Sequence, residues 1–402
     1  MANKSNKQNI GLFGFGVVGE GLYHVLKNSH TTNATISKIC IRDPGKKRSI
    51  GSENFTFKPE DILDNPQINL VVELINDANQ AFDIVKRALL NGKSVVSGNK
   101  KMLAFNLPEL VELQKQTGAA LLYDASACGS IPVIRNLEEY YDNDLLLSIT
   151  GILNGSSNFV LSKVFNENKT YQAAVSEAQE LGFAESDPSL DMGGWDALYK
   201  IVILALHGFG TFVNPCDVFV SGISTLAPED IRFANEKGFR IKLVAQATKV
   251  SNKSFNLMVM PKMVTTEEYI YNVENEYNGV IIKGAFYEKQ FMFGKGAGAL
   301  PTGSSVLSDI TARMHGYKYE YKKQKYFTAP QHTNDVNVKV YLRYNDPKDL
   351  DHFEFESIEE KLSSRGYYYI IGEIKLSKLT KIMKLIHSLN VFLAFFERPE
   401  IV

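Results

Sequence analysis

Residues 9–28 read NIGLFGFGVVGEGLYHVLKN, a short apolar stretch, then Gly14, Gly16 and Gly19 in GxGxxG spacing, then Val18, Leu22, Val25 and Leu26 at helical intervals. The pattern predicts a strand, a tight turn and a helix. In that arrangement Gly14 makes the turn, Gly16 lets the backbone approach a pyrophosphate and Gly19 lets the helix pack closely on the strand. The helix N-terminus then points at the phosphates, with Phe15, Val17 and Val18 completing the loop. A glycine turn without a ligand fits GxGxxG alone, but the flanking strand and helix favour dinucleotide binding.

Working outward, ATISKICIR reads as a second strand, followed by INLVVELI, AFDIVKRALLNG, SVVSGNK, LPELVELQKQTG and AALLYDAS as alternating strands and helices. Such alternation predicts an α/β fold with a doubly wound parallel sheet. Ligands of these sheets gather at the carboxyl ends of the strands, where SGNKKM puts Lys100 and Lys101 and where YDASACGSIP begins an irregular loop. Arg42 stands where an acid usually holds the ribose 2′-hydroxyl; a guanidinium there faces a 2′-phosphate and favours NADP, while the adjoining Asp43 leaves NAD open.

The chain has 402 residues, 44% apolar and 22% charged, enough for two or three domains. Its net charge of −1 gives no electrostatic reason for nucleic acid or an anionic membrane as partner, so a small molecule is expected. Cys40, Cys128 and Cys216 lie far apart with no CxxC pair, which fits a reducing compartment and argues against a zinc site. No apolar run reaches the roughly 20 residues of a membrane helix. A cytoplasmic protein follows.

A second informative stretch is GFAESDPSLDMGGWDALYK, residues 182–200. Asp196 and Lys200 share a helix face in WDALYKIVILALHG, and the apolar residues that follow make partial burial of the pair plausible. A lysine held in such surroundings can donate a proton. Glu185, Asp187 and Asp191 precede it on a Gly- and Pro-interrupted loop and suit a substrate ammonium group; a solvated acidic loop or a cation site are the alternatives.

The spacing AQELGFAESDPSLDMGGWDALYK resembles the signature of homoserine dehydrogenases. GILNGSSNFVL at 151–161, VFVSGISTLAPEDIRFANEKGFRIKLVAQA at 218–247 and GKGAGALPTGSSVLSDI at 294–310 resemble further motifs of that family in the same order. The resemblance implies a Rossmann-type NAD(P)-binding domain at 1–132, an inserted α+β substrate and dimerisation domain at 133–295, a return segment at 296–330 and a small ACT-like α+β domain at 331–402. It implies interconversion of aspartate 4-semialdehyde and homoserine, in a homodimer or higher homo-oligomer. Lys200 would donate the proton, with Asp196 and Lys100 as further catalytic residues, and Glu185, Asp191, Asp196 and Lys200 would bind substrate. Gly182 and Gly303 would join the glycine loop, Arg42 and Lys100 in holding the coenzyme. Main-chain carbonyls of Asp124, Ala127, Gly129 and Ile131 would hold a monovalent cation, Na+ or K+. Two departures bear on the cofactor side: Asp124 stands where glutamate is usual, and Asn76-Asp77 where two glycines are common. A related dehydrogenase of another small amino aldehyde and a silent dinucleotide-binding sensor are the competing readings.

YKYEYKKQKYF at 317–327 reads as an amphipathic strand or linker. Beyond it, VNVKVYLRY, FESIEEKLSSRG, YYYIIGEI, LTKIMKLIHSL and NVFLAFFER predict strand, helix, strand, helix, strand. NDPKDLDHF replaces the glycine loop usual after the first strand of an ACT domain, so packing or oligomerisation is expected of this module rather than threonine sensing.

Overall fold

The computed structural model describes residues 7–30, 33–364 and 367–397. The chain divides into two compact units, residues 1–142 with 295–322 and residues 143–294 with 323–402.

In the first unit, β1 (Gln8–Phe13), β2 (Ala34–Cys40), β3 (Phe55–Thr56), β4 (Leu70–Glu73), β5 (Ser94–Ser97) and β6 (Leu121–Leu122) form a parallel sheet ordered β3-β2-β1-β4-β5-β6. Every residue of β4 and β5 is buried, as expected of strands covered on both faces. The doubly wound sheet expected from the alternation is therefore present. Its strand order reverses between β1 and β4, where such sheets receive their ligand. Gly14 has φ +93°, and a Cβ there would lie 2.7 Å from the Leu74 carbonyl oxygen. At Gly19 a Cβ would lie 2.3 Å from the Gly14 carbonyl oxygen. A larger residue at Gly19 would push the Val17–Lys27 helix off the turn, and one at Gly14 would collide with the Leu74 backbone after β4.

The return segment contributes the Ala299–Met314 helix, which packs on the Val17–Lys27 helix. The Lys/Tyr run after it is neither strand nor linker over its first half: Tyr319 and Tyr321 are buried, with Tyr319 at 5.0 Å ring to ring from Tyr123.

The second unit is built on a mixed sheet of eleven strands. These are β7 (Leu146–Ile152), β8 (Phe219–Val220), β9 (Arg240–Ser251), β10 (Ser254–Val264), β11 (Tyr277–Gly284), β12 (Glu288–Lys295), β13 (Gln331–His332), β14 (Asn337–Tyr344), β15 (Phe355–Ser364), β16 (Tyr367–Lys375) and β17 (Phe392–Phe396). Nine run in the order β12-β11-β7-β9-β10-β17-β14-β16-β15. One edge of β10 pairs with β9 along its whole length. The other is shared end to end by β13 at Ser254–Phe255, β8 at Met258–Val259 and β17 at Lys262–Met263.

Residues after 331 therefore extend the sheet that carries the substrate motifs. One buried cluster joins Ile152, Phe219, Val244 and Met260 to Val340, Leu342, Ile370, Ile374 and Phe395. A buried ion pair reinforces it: the Arg343 Nε donates to both carboxylate oxygens of Asp230 at 3.0 Å, and Tyr341 Oη donates to the same carboxylate at 2.9 Å. Burial raises Asp230 to about 6 even though Arg343 opposes the shift.

The helix expected at FESIEEKLSSRG is a strand. Residues Phe355–Ser364 pair antiparallel with β16, with irregular register near Phe355 and Ile358. Helical propensity of the Glu and Lys residues yields to this backbone pairing, and the same charges suit an exposed sheet edge.

Replacing Arg343 by Leu should leave Asp230 buried without its cation and cost about 3–5 kcal/mol. Urea denaturation at neutral pH measures it; an unchanged midpoint would show that the pair contributes nothing.

Candidate active site

In the second unit the Trp195–Phe209 helix is buried along nearly its whole length, which is why its sequence is apolar on all sides. Asp196 lies in its first turn, where a carboxylate is favoured by the helix dipole, and Lys200 lies one turn later. Their side chains are only 5% and 8% exposed, and Lys200 Nζ stands 2.8 Å from Asp196 Oδ2. The ammonium also donates to the Leu153 carbonyl at 2.5 Å. An ammonium has three N–H donors. Two are engaged by fixed partners, which leaves one N–H over among the described residues.

Asn154 ties this pair to the acidic loop. Its Nδ2 donates to Asp196 Oδ2 at 2.9 Å and to Asp191 Oδ1 at 2.7 Å, while its Oδ1 accepts the Ser157 N–H at 2.8 Å. That last bond caps the Gly155–Glu167 helix. Asp191 and Asp196 thus lie in one hydrogen-bonded cluster with Lys200. Glu185 is exposed, and no hydrogen bond among the described residues joins its carboxylate to the cluster; its carbonyl accepts from Gln179 Nε2 at 3.1 Å. Gly182, in left-handed conformation, ends the Tyr171–Glu180 helix.

In the first unit the glycine turn has the shape of a phosphate cradle. The Val17–Lys27 helix has no side-chain cap at Gly16, and a Cβ built on Gly16 would meet nothing within 4 Å. Free amides beside open space fit a pyrophosphate. Gly303 is placed differently from the loop glycines. It lies under the helix, where a Cβ would come 2.7 Å from the Gly21–Leu22 backbone.

Arg42 is exposed just past β2. The Asp43 carboxylate turns back to accept the Gly45 N–H at 2.8 Å. Arg48, which the sequence did not single out, donates to the Asp43 carbonyl at 2.7 Å and lies 5.3 Å over the Phe55 ring, itself 5.5 Å from Phe15. Its partners are a main-chain carbonyl and an aromatic ring, contacts that no residue spacing signals.

Lys100, half-buried, is the first residue of the Lys100–Thr117 helix, which starts earlier than the apolar pattern suggested because Asn99 caps it. Asn99 Oδ1 accepts the Met102 N–H at 2.9 Å, and its own N–H reaches Ser97 Oγ at 3.2 Å. Ser97 donates to the buried Glu73 at 2.6 Å. Burial, partly offset by Ser97 and the Ile75 amide, pushes Glu73 up to about 7. Asp77, at the departure from the usual two glycines, caps the Ala78–Leu90 helix through the Asn79 and Gln80 amides.

The loop expected to be irregular at 124–131 contains a helical turn, Ala125–Cys128, followed by Gly129 at φ +59°. Asp124 accepts the Ile134 N–H at 3.0 Å and donates its own N–H to Asp309 Oδ2 at 2.9 Å; Arg135 reaches Asp309 Oδ1 at 2.6 Å. Burial and the Asp124 carboxylate raise Asp309 to about 7 against the pull of Arg135. The carbonyls of Asp124 and Ile131 accept the N–H groups of Ala127 and Val133. Among the described residues no three His, Cys, Asp or Glu side chains gather as a metal site.

The family described as homoserine dehydrogenase matches residues 132–311, and the homoserine dehydrogenase NAD-binding domain matches residues 14–124. The chain belongs to the homoserine dehydrogenase family. It is 33% identical over 372 residues to the homoserine dehydrogenase of Bacillus subtilis strain 168, covering 89% of this chain and 85% of the relative. Among solved structures it resembles a homoserine dehydrogenase from Thiobacillus denitrificans, with TM-score 0.84, 28% identity and 98% of each chain covered. A hyperthermophilic archaeal homoserine dehydrogenase in complex with NADPH matches with TM-score 0.67 and 28% identity over 78% of this chain and 99% of that one. The chain is accordingly an NAD(P)-dependent homoserine dehydrogenase by family, and both resemblance and fold class stand as expected from sequence. Asn154 is the member of the Asp191–Asp196–Lys200 cluster that sequence reasoning missed; an Asn just before a helical run is a capping signal, which could have found it.

Glu73 supplies a pH test. Its folded value of about 7 exceeds the ordinary 4.5, so its penalty is absent below the unfolded value and grows as pH rises through the folded one. Relative to Glu73→Gln, the wild-type chain should lose on the order of 2–3 kcal/mol between about pH 5 and pH 8. Urea unfolding of both chains across that range checks it; parallel curves would contradict the assignment.

Proposed function

We propose that Lys200 is the proton donor when this homoserine dehydrogenase reduces aspartate 4-semialdehyde, and the base when it oxidises L-homoserine. The observation that carries this is the unspent third donor of an ammonium fixed by Asp196 and the Leu153 carbonyl. The nicotinamide coenzyme, when bound, supplies or accepts the hydride. As the hydride reaches the carbonyl carbon, negative charge builds on the oxygen, and a fixed ammonium both stabilises that charge and delivers a proton. Asp191 and Asp196 suit the substrate ammonium or hydroxyl, with Asn154 holding the two carboxylates at set positions. Glu185 is assigned to the substrate by family resemblance alone.

NADP is the preferred coenzyme in this reading. Asp43 is occupied by its own turn, while Arg42, Lys46, Lys47 and Arg48 follow β2 in sequence and supply positive charge suited to a 2′-phosphate. Lys100 at a helix start is assigned to coenzyme or proton handling, and the carbonyls of Asp124, Ala127, Gly129 and Ile131 to Na+ or K+, as hard oxygen donors suit such ions. A homodimer is supported by the exposed aromatic patch of Tyr269, Phe291 and Phe293. No helix among the described residues is long and apolar enough to cross a membrane, and cysteines that form no disulfide fit a reducing compartment.

Lys200→Ala should lower semialdehyde-dependent NADPH oxidation by about 10³-fold, within the range of general acid catalysis, while coenzyme binding followed by fluorescence stays unchanged. Turnover close to wild type would remove Lys200 from the chemistry. Running NADH beside NADPH in the same assay tests the coenzyme preference, and a faster rate with NADH would reverse it.

A further inference from the structure

The family matches end at residue 311, yet the tail beyond them reaches the start of the helix that bears Asp196 and Lys200. The tail's two short helical segments, Leu376–Lys381 and Met383–Ile386, follow β16, and His387 ends the second. The His387 ring meets Trp195, first residue of the Lys200 helix, edge-on at 5.7 Å and 72°. His387 Nε2 lies 2.8 Å from the Val220 carbonyl oxygen. That oxygen can only accept, so Nε2 carries the proton. One turn earlier, Met383 Sδ accepts the Val220 N–H at 3.4 Å. A single tail segment therefore grips both main-chain groups of Val220 and one face of Trp195.

Val220 is coupled to the same helix start from the other side. It pairs with Val259 of β10, and three residues later the Ile223 N–H donates to the Met192 carbonyl at 2.7 Å, immediately before Gly193 and Gly194 open the helix. A second grip lies beyond: Thr225 Oγ1 donates to the Val391 carbonyl at 2.6 Å, and Arg343 donates to the Thr225 carbonyl at 2.6 Å. The segment 219–225 is thus clamped between the tail and the turn that fixes where Asp196 begins.

We propose that His387, acting through Trp195 and Val220, is a positioning residue for the Asp196–Lys200 pair, and that the tail serves this enzyme as a clasp on its catalytic helix. The proposal rests on the reading of Lys200 as proton donor. It assigns the tail a role in the basal reaction, with no effector required. A small shift of Trp195 moves Asp196, the next residue, and an ammonium displaced by about 1 Å loses much of its effect on a reacting oxygen.

The test uses the full-length enzyme with three substitutions. His387→Ala should lower kcat/KM for aspartate 4-semialdehyde by about 5- to 10-fold while KM for the coenzyme stays unchanged, a split that general destabilisation does not produce. His387→Gln, which keeps a side-chain N–H for the Val220 carbonyl, should recover part of the loss, and Met383→Leu should show a smaller loss of the same kind. His387 is exposed, so its removal should leave the fold intact, and thermal melting confirms that. A His387→Ala enzyme within twofold of wild type, or one whose loss falls equally on coenzyme and substrate and is not recovered by Gln, overturns the clasp. If Lys200→Ala keeps its turnover while His387→Ala still shows the selective loss, the proton-donor reading fails and the clasp stands as a support for substrate binding.

Discussion

The cluster of Asp191, Asp196 and Lys200 depends on keeping one ammonium inside an apolar helix. Removing a lysine charge from water is costly unless paired and hydrogen-bonded partners replace the water. Lys200 has such partners in Asp196 and the Leu153 carbonyl, and Asp196 is itself held by Asn154. These come from two parts of the second unit: Asp196 from the helix itself, and the adjacent Leu153 and Asn154 from the junction between β7 and the Gly155–Glu167 helix. The arrangement exists only when those elements are assembled. It also explains the sequence of the helix, whose unbroken apolar run would otherwise suit only a structural core.

Packing around that pair extends further along the chain than its sequence motifs do. The outer edge of β10 is completed by three short segments, one of them from the tail. The Asp230–Arg343 pair and the shared apolar cluster then bind the last strands to the substrate sheet. Asp230 lies within the stretch by which the family was recognised, and its carboxylate is engaged with the tail rather than with anything at the substrate end. A tail built this way cannot swing as a free sensor module without opening a buried ion pair.

The parts legible in sequence were those governed by local rules. Glycine spacing, strand alternation and the helical Asp196–Lys200 interval each report on a few consecutive residues, and each matched the structure. Asn154 and Arg48 were missed because their roles come from partners far along the chain or from main-chain atoms. The strand at Phe355–Ser364 was read as a helix because its Glu and Lys content favours one, and only pairing with β16 decides otherwise. The Lys/Tyr run misled for a related reason, since its tyrosines turn inward against Tyr123. For the coenzyme end, the cradle was readable from glycines, while the departure at Asn76-Asp77 turned out to include a helix cap.

The most direct measurement is a crystal structure of the enzyme with NADP+ and L-homoserine bound. The account predicts the substrate hydroxyl oxygen within about 3 Å of Lys200 Nζ, taking the donor that Asp196 and the Leu153 carbonyl leave unspent. A hydroxyl held by another side chain, with Lys200 bonded only to its protein partners, would contradict it.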